Sequence, residues 1–229
     1  MTEINQPKTI NDQQQIKVCG LTQLSQISEL VKLKIDFLGF IFYEKSPRYV
    51  LNHLSLDDIS KINHEGKVGV FVNENVDKIL EISEKSNLNY IQLHGDENDE
   101  YILRLNQRLS NNIKIINVIR IGNQHPSELQ ETINHQPTTI SYLLFDTDSK
   151  TFGGTGKTFD WNVLNEIKIP IPYLLSGGIS LENVENINNL NKKPFALDIN
   201  SKFEVEAGIK DLEKIKQFIN HFKSPKLTT

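Results

Sequence analysis

The chemistry-bearing residues of this chain stand at the ends of apolar runs. Cys19, the only cysteine, closes the run IKVC and is followed at once by Gly20. A thiol acts as a base only as thiolate, and a free cysteine titrates at about 8.5, so neighbouring cations or dipoles have to lower it. Lys17 shares a strand face with Cys19 at about 7 Å, and a lysine on a buried face needs a carboxylate, for which Asp198 is the candidate. The competing reading of Cys19 is a small buried hydrophobe. Asp146 interrupts the run YLLFDT; a partly buried carboxyl there has a raised pKa suited to acid catalysis, against the alternative of a helix cap or loop former. Asp148, already in the loop, competes weakly for the same role. Arg48, in EKSPRYV, could fork onto a substrate carboxylate or stand solvated. Gln92 and His94 share a face in YIQLH and could hydrogen-bond a ligand or order the thiol. Around His94 no ligand set at metal spacing is present, since Asp96 and Glu97 read as the start of a helix.

Eight short apolar runs carry these residues, at 16–19, 36–42, 67–72, 90–94, 114–121, 142–147, 173–178 and 194–200. Near-continuous apolar strands are buried on both faces, which favours a parallel sheet covered by helices. Between the runs lie segments of helical period: Leu24, Ile27, Leu30 and Val31 on one face, Val76, Ile79, Leu80 and Ser83 on another, Leu212, Ile215, Phe218 and Ile219 on a third. Strand and helix alternate throughout, and the closed arrangement that fits is a single (β/α)8 TIM barrel spanning 16–222, with an open doubly wound sheet as the alternative. A barrel works at the C-terminal ends of its strands, where all the polar residues above fall.

Two glycine-rich stretches invite a phosphate. The loop 152–161, FGGTGKTFDW, lacks the first glycine of a P-loop, because Thr151 stands there, and Phe159 stands where the last glycine of the dinucleotide pattern belongs. It reads instead as a loop over the mouth, hinged at Gly153, Gly154 and Gly156. LLSGGIS, with Gly177 and Gly178, and LDINS, with Asp198, Asn200 and Ser201, follow strands seven and eight. In this fold those loops and a short extra helix form the frequent phosphate site, against the alternative of tight turns only.

Composition sets the bounds. The chain has 229 residues, 38% hydrophobic and 24% charged, with 25 basic and 29 acidic side chains for a net charge of −4. No basic field for nucleic acid results, and no apolar run is long enough for a membrane span. The polar segments 1–15 and 223–229 read as tails, and a lone cysteine with no signal-like run points to the cytoplasm.

Lys17-Val-Cys-Gly-Leu-Thr22, Ser46-Pro-Arg48, Gln92-Leu-His-Gly95, Asp146 ahead of the 153–161 loop, Ser176-Gly-Gly178, and Asp198, Ser201, Glu204 and 208–211 together resemble the phosphoribosylanthranilate isomerase family over the whole folded body. The resemblance implies a (β/α)8 barrel that performs an Amadori rearrangement in tryptophan biosynthesis without cofactor or metal. Its substrate would be a small phosphosugar–anthranilate, and the protein a monomer or weak homodimer. It further implies Cys19 as general base, Asp146 as general acid, Arg48 on the anthranilate carboxylate, and Gly178, Asn200 and Ser201 on the phosphate. Lys202 departs from the family, where glycine often follows the serine; a lysine reaches φ > 0 less cheaply, so a different phosphate-loop backbone is expected, with its ammonium near the anion.

Overall fold

The computed structural model describes residues 14–148 and 158–223. Eight parallel strands close into a barrel in sequence order: β1 (Gln15–Val18), β2 (Phe37–Ile41), β3 (Lys67–Phe71), β4 (Tyr90–Leu93), β5 (Lys114–Ile121), β6 (Tyr142–Thr147), β7 (Tyr173–Leu175) and β8 (Ala196–Ile199), with β8 paired back onto β1. A two-stranded antiparallel hairpin, β9 (Glu204–Glu206) and β10 (Ile209–Lys210), follows β8. The open-sheet alternative is thereby excluded.

Helices α1 (Leu24–Lys32), α2 (Leu56–Ser60), α3 (Val76–Lys85), α4 (Asp99–Arg108), α5 (Pro126–Asn134) and α6 (Leu212–Lys223) cover the outside. Their starts follow local chemistry: Ser55 and Asp58 form a reciprocal capping box on α2, Asn75 and Asn98 cap α3 and α4, and Pro126 opens α5. α1 and α3 end alike, with Lys34 (φ 54°) and Asn87 (φ 52°) in the left-handed region and the next apolar residue, Ile35 or Leu88, bonding back to Leu30 or Ser83. Among the described residues, no helix is long and apolar enough to cross a membrane.

Two apolar layers result. The larger lies between sheet and helices, from Ile16 through Phe145 to Phe218. The smaller fills the barrel, with Val68, Val70, Ile116, Leu144, Leu174 and Ala196 packed beneath Cys19. Below them Phe37, Tyr90, Tyr142 and Phe195 touch in a closed ring, successive centroids 5.2, 6.1, 5.1 and 6.2 Å apart. Even-numbered strands or the residue leading into one supply all four, as a barrel layer requires. The N-terminal end is thus plugged by rings, and polar groups concentrate at the other end.

Several expectations are corrected. Units six and seven carry 3-10 turns, Trp161–Asn165 and Val184–Asn189, in place of α-helices. Pro170 and Pro172 cut the first short, and the second is rich in asparagine, whose side chain competes for backbone hydrogen bonds. Leu24 is exposed, so the buried face of α1 is Ile27 and Leu30. Asp96 and Glu97 precede α4 and do not start it. The Glu97 carboxylate instead accepts from the main-chain N–H groups of Asn73 and Gly95, and Asp96 pairs with Arg120. At the termini the strand order begins at Gln15, one residue inside the expected tail, and α6 runs to Lys223.

Candidate active site

Cys19, His94, Ser176 and Asn200 are each the first residue beyond β1, β4, β7 and β8, and Gln92, Asp146 and Asp198 are each the last but one of β4, β6 and β8. Cys19 is anchored by its N–H on Ile199 O at 3.0 Å. Two glycines open space here, Gly39 for the sulfur and Gly20 for Arg48 and Asn200. A Cβ on Gly39 would stand 2.9 Å from the Cys19 sulfur, and one on Gly20 (φ +74°) would meet Arg48 Cδ at 2.7 Å and Asn200 Oδ1 at 2.9 Å.

Lys17 and Asp198 are register partners on β1 and β8, and the expected ion pair is present, with Nζ and Oδ2 2.9 Å apart and both side chains buried. Burial alone would lower the Lys17 ammonium, but Asp198 and Cys19 outweigh it and hold its pKa above the ordinary value. The thiol behaves differently from expectation: burial pushes Cys19 up, and the pull of Lys17 and of a second cation, Lys210, does not reverse it. Lys17 is already committed to Asp198, whose negative charge itself opposes ionisation of the thiol.

Asp146, on the inward face of β6, is half-buried and its Oδ1 accepts from the Thr147 N–H at 2.8 Å. His94 Nε2 lies 3.4 Å from Asp146 Oδ2, and His94 Nδ1 is 3.0 Å from the Gln92 amide nitrogen. An amide donating to Nδ1 leaves the ring proton on Nε2, facing the carboxylate. Gln92 and His94 therefore stand against the Asp146 carboxylate, and of the two alternatives, ligand contact or ordering of the thiol, their contacts do not run to the thiol. Asp148 is exposed in the loop beyond β6. Asp198 lies between the two halves, since it feels Lys17 on one side and the charges of Asp146 and His94 on the other.

Two buried acceptors among these groups, Gln92 Oε1 and Asp198 Oδ1, have no hydrogen-bond partner among the described residues. Such orphans cost stability unless something donates to them, and they mark where a hydroxyl-bearing ligand would be welcome. Gly177 (φ +82°) and Gly178 (φ +70°) hold the left-handed turn after β7, where a Cβ on Gly177 would press on Thr147 and stand 3.2 Å from Asp146 Oδ1. Asn183 pins that turn by donating to Gly178 O and accepting from Ser180 N. After β8 a 3-10 turn, Ser201–Phe203, takes the place of the expected short helix. Lys202 lies inside it, exposed and without positive φ, so this turn does not use the left-handed conformation that a glycine would make cheap.

Arg48 is not a free guanidinium. Its Nε and Nη2 grip the carboxylate of Glu204, which also receives Lys210 Nζ at 2.6 Å. Burial would raise Glu204, but Arg48 and Lys210 hold it below the ordinary carboxylate value. Glu204 and Lys210 belong to the motif read from sequence, yet nothing in their alternation with Val205 and Ile209 distinguishes an inward ion pair from an exposed hairpin. Gly153, Gly154 and Gly156, expected as hinges of a loop over the mouth, lie outside the described residues; beyond them, Phe159 donates its N–H to Thr147 Oγ1 at 3.2 Å and is buried with Trp161. Among the described residues no group of three or more His, Cys, Asp or Glu could hold a metal ion.

A family model described as N-(5'phosphoribosyl)anthranilate (PRA) isomerase matches residues 16–221. A protein of that name from Caldanaerobacter subterraneus is 42% identical over 207 residues, covering 89% of this chain and 95% of the relative. One from Parabacteroides distasonis is 38% identical over 218 residues, 93% and 96% of the two chains. Among solved structures, phosphoribosyl anthranilate isomerase from Thermotoga maritima superposes with a TM-score of 0.74 at 34% identity, covering 92% of this chain and 98% of that one. A structure of the isomerase in complex with reduced 1-(o-carboxyphenylamino)-1-deoxyribulose 5-phosphate gives a TM-score of 0.72 at 31% identity, with the same coverage.

Proposed function

The chain belongs to the N-(5'-phosphoribosyl)anthranilate isomerase family and is an isomerase, and from that premise we propose that it converts N-(5-phospho-β-D-ribosyl)anthranilate to 1-(2-carboxyphenylamino)-1-deoxy-D-ribulose 5-phosphate, with Asp146 as general acid and Cys19 as general base. Asp146 gives its proton to the furanose oxygen as the C1–O bond breaks and the anthranilate nitrogen lone pair forms the C1=N Schiff base. The Cys19 thiolate then takes the C2 hydrogen, the C2–H pair becomes the C1=C2 bond, and the C1=N pair returns to nitrogen to give the enolamine. Tautomerisation removes the proton of the C2 hydroxyl, places a proton on C1 and leaves the ketone at C2, so no atom or electron is gained or lost overall. A cytoplasmic location belongs to the same proposal.

One observation carries this reading: a buried thiol with Lys17 and Lys210 beside it shares the barrel mouth with a half-buried carboxyl held by His94. Binding alone needs neither group. The two cations stabilise the thiolate when it forms, and the Nε2–H of His94 stabilises the Asp146 carboxylate once its proton has gone. The orphaned oxygens of Asp198 and Gln92 would take substrate hydroxyls. Gly177, Gly178, Asn200 and Ser201 would hold the phosphate through main-chain N–H groups at the glycine turn and the 3-10 turn, and Arg48 the anthranilate carboxylate.

Turnover is followed by the decay of anthranilate-type fluorescence on freshly generated substrate. Cys19→Ala, Cys19→Ser and Asp146→Asn should each lose about 10²–10⁴-fold in kcat while still binding the reduced product analogue. Full turnover in Cys19→Ala would remove the thiol from the mechanism.

A further inference from the structure

Glu204 stands at the start of β9, its side chain only 4% exposed, with more donors than stability alone would call for. Arg48 Nε lies 3.0 Å from both carboxylate oxygens and Arg48 Nη2 2.6 Å from Oε2. Lys210 Nζ reaches Oε1 at 2.6 Å and the Gly208 N–H reaches it at 3.1 Å. Lys210, itself buried, also donates to Asn200 Oδ1 at 2.8 Å.

The hairpin bearing these groups is fixed to the far end of the chain. Gln26 bonds the Lys210 main chain in both directions, at 2.8 and 2.9 Å, and Thr22 Oγ1 donates to Gly208 O at 2.6 Å. Gly208 (φ +86°) is needed for that approach, because a Cβ there would stand 3.0 Å from Thr22 Oγ1. Glu204 thus acts from a rigid support. A buried ion cluster of this kind seldom adds stability over apolar residues of the same volume, so its presence at the mouth asks for another account.

Geometry supplies one. A guanidinium is planar with five N–H donors, so holding its Nε and Nη2 edge fixes where the Nη1 edge points. The bare Gly20 beneath lets the Arg48 stem pass close over the strand that carries Cys19. We propose that Glu204 is a positioning residue: it grips one edge of Arg48 and thereby aims the other at the carboxylate of the substrate, with Lys210 as the buried countercharge that keeps Glu204 in place. This rests on the reading of Arg48 as the group that binds that carboxylate.

The test uses inhibition of turnover by two separate probes, anthranilate and inorganic phosphate, in the full-length protein. Arg48→Met should raise the inhibition constant of anthranilate and leave that of phosphate unchanged; no change for anthranilate sinks the reading of Arg48 itself. Given that effect, Glu204→Gln should raise the anthranilate constant about tenfold, with KM rising in step, kcat within about threefold and phosphate untouched. The double variant should be no worse than Arg48→Met alone. Unchanged or tighter anthranilate inhibition in Glu204→Gln, an equal loss for both probes, or penalties that multiply in the double variant would each overturn the positioning role. Should Glu204→Gln fail to fold, Glu204→Asp keeps the charge, cannot span both nitrogens, and is expected to show the same selective loss.

Discussion

Gly39 offers the sharpest probe of where the sulfur must sit. It faces inward on β2, and a Cβ there would stand 2.9 Å from both the Cα and the Sγ of Cys19 and 3.2 Å from its Cβ. Carbon contacts are comfortable at about 3.5–4.0 Å, so Gly39→Ala asks the two strands to yield by roughly 0.6–1.1 Å. The Cys19 main chain is held by Ile199 O at 3.0 Å on the neighbouring strand, so the side chain gives way first. Overpacking of this kind costs about 1–3 kcal/mol, which for a chain of this size is a fall in Tm of roughly 2–12 °C. A displacement near 1 Å of a reacting group costs about 100-fold in rate. Gly39→Ala should therefore lose on the order of 100-fold in kcat at a temperature where it remains folded, with KM little changed. Ile59→Val, buried on α2 away from the mouth, controls for stability: it should lose about 0.5–1.5 kcal/mol and keep kcat. If Gly39→Ala shows the fall in Tm but turns over within threefold of the parent, the sulfur's position does not limit the reaction and the assignment of Cys19 as base fails.

Lys17→Met strands the buried Asp198 carboxylate and should cost about 3–5 kcal/mol in urea unfolding, most of it recovered in Lys17→Met/Asp198→Leu; a loss under about 1 kcal/mol would show that the pair is not desolvated as described. Alkylation of Cys19 by iodoacetamide should rise with an inflection above that of a free cysteine, because burial outweighs the pull of Lys17 and Lys210. Lys210→Met should move that inflection higher still, and a parent inflection at or below that of a free cysteine would contradict the direction assigned to the thiol. A carboxylate whose folded pKa lies below its unfolded value stabilises the fold fully above the unfolded value and stops doing so as pH falls through the folded one. The stability advantage of the parent over Glu204→Gln should accordingly be complete above pH 4.5 and shrink below it, and an advantage that grows in acid would refute the direction assigned to Glu204.

The strand pattern was legible because every barrel strand is buried on both faces, which writes a run such as YLLFDT without alternation. The polar breaks in those runs located Cys19, Asp146 and Asp198, since a polar residue at a strand end has no apolar role to fill. The Lys17–Asp198 pair followed from the same logic: a buried ammonium must have a partner, and register supplied it. What the sequence could not convey was which of several nearby charges each group would choose. Arg48 has Glu204 156 positions away, a distance at which no local spacing rule operates. The thiol's balance was likewise hidden, because burial depends on the whole mouth while the attraction of Lys17 can be read two residues away. The helical period failed in units six and seven for a local reason, their prolines and asparagines, that was visible in the sequence but outweighed in the reading by the regular alternation of the rest.

The charges around the thiol explain how a buried cysteine could serve as a base despite a raised resting pKa. Of the charges that act on the thiol, Lys17 and Lys210 stand against Asp198, which leaves the cluster one positive charge in excess. Loss of the thiol proton brings the cluster to neutrality, so the anion forms where the field already favours it, and the cost that remains is the burial of the sulfur. Glu204 acts on that balance through Lys210, whose ammonium burial lowers and the Glu204 carboxylate supports. Without the Glu204 charge Lys210 would lose that support and the thiolate one of its two cations, while Arg48 would lose its hold and the substrate carboxylate its aim. Orientation and thiol acidity thus depend on Glu204 in the same sense, and the competition and alkylation experiments on the same Glu204→Gln protein should show it: weaker anthranilate inhibition together with an alkylation inflection at higher pH, whereas an inflection at lower pH would refute the role given to Lys210.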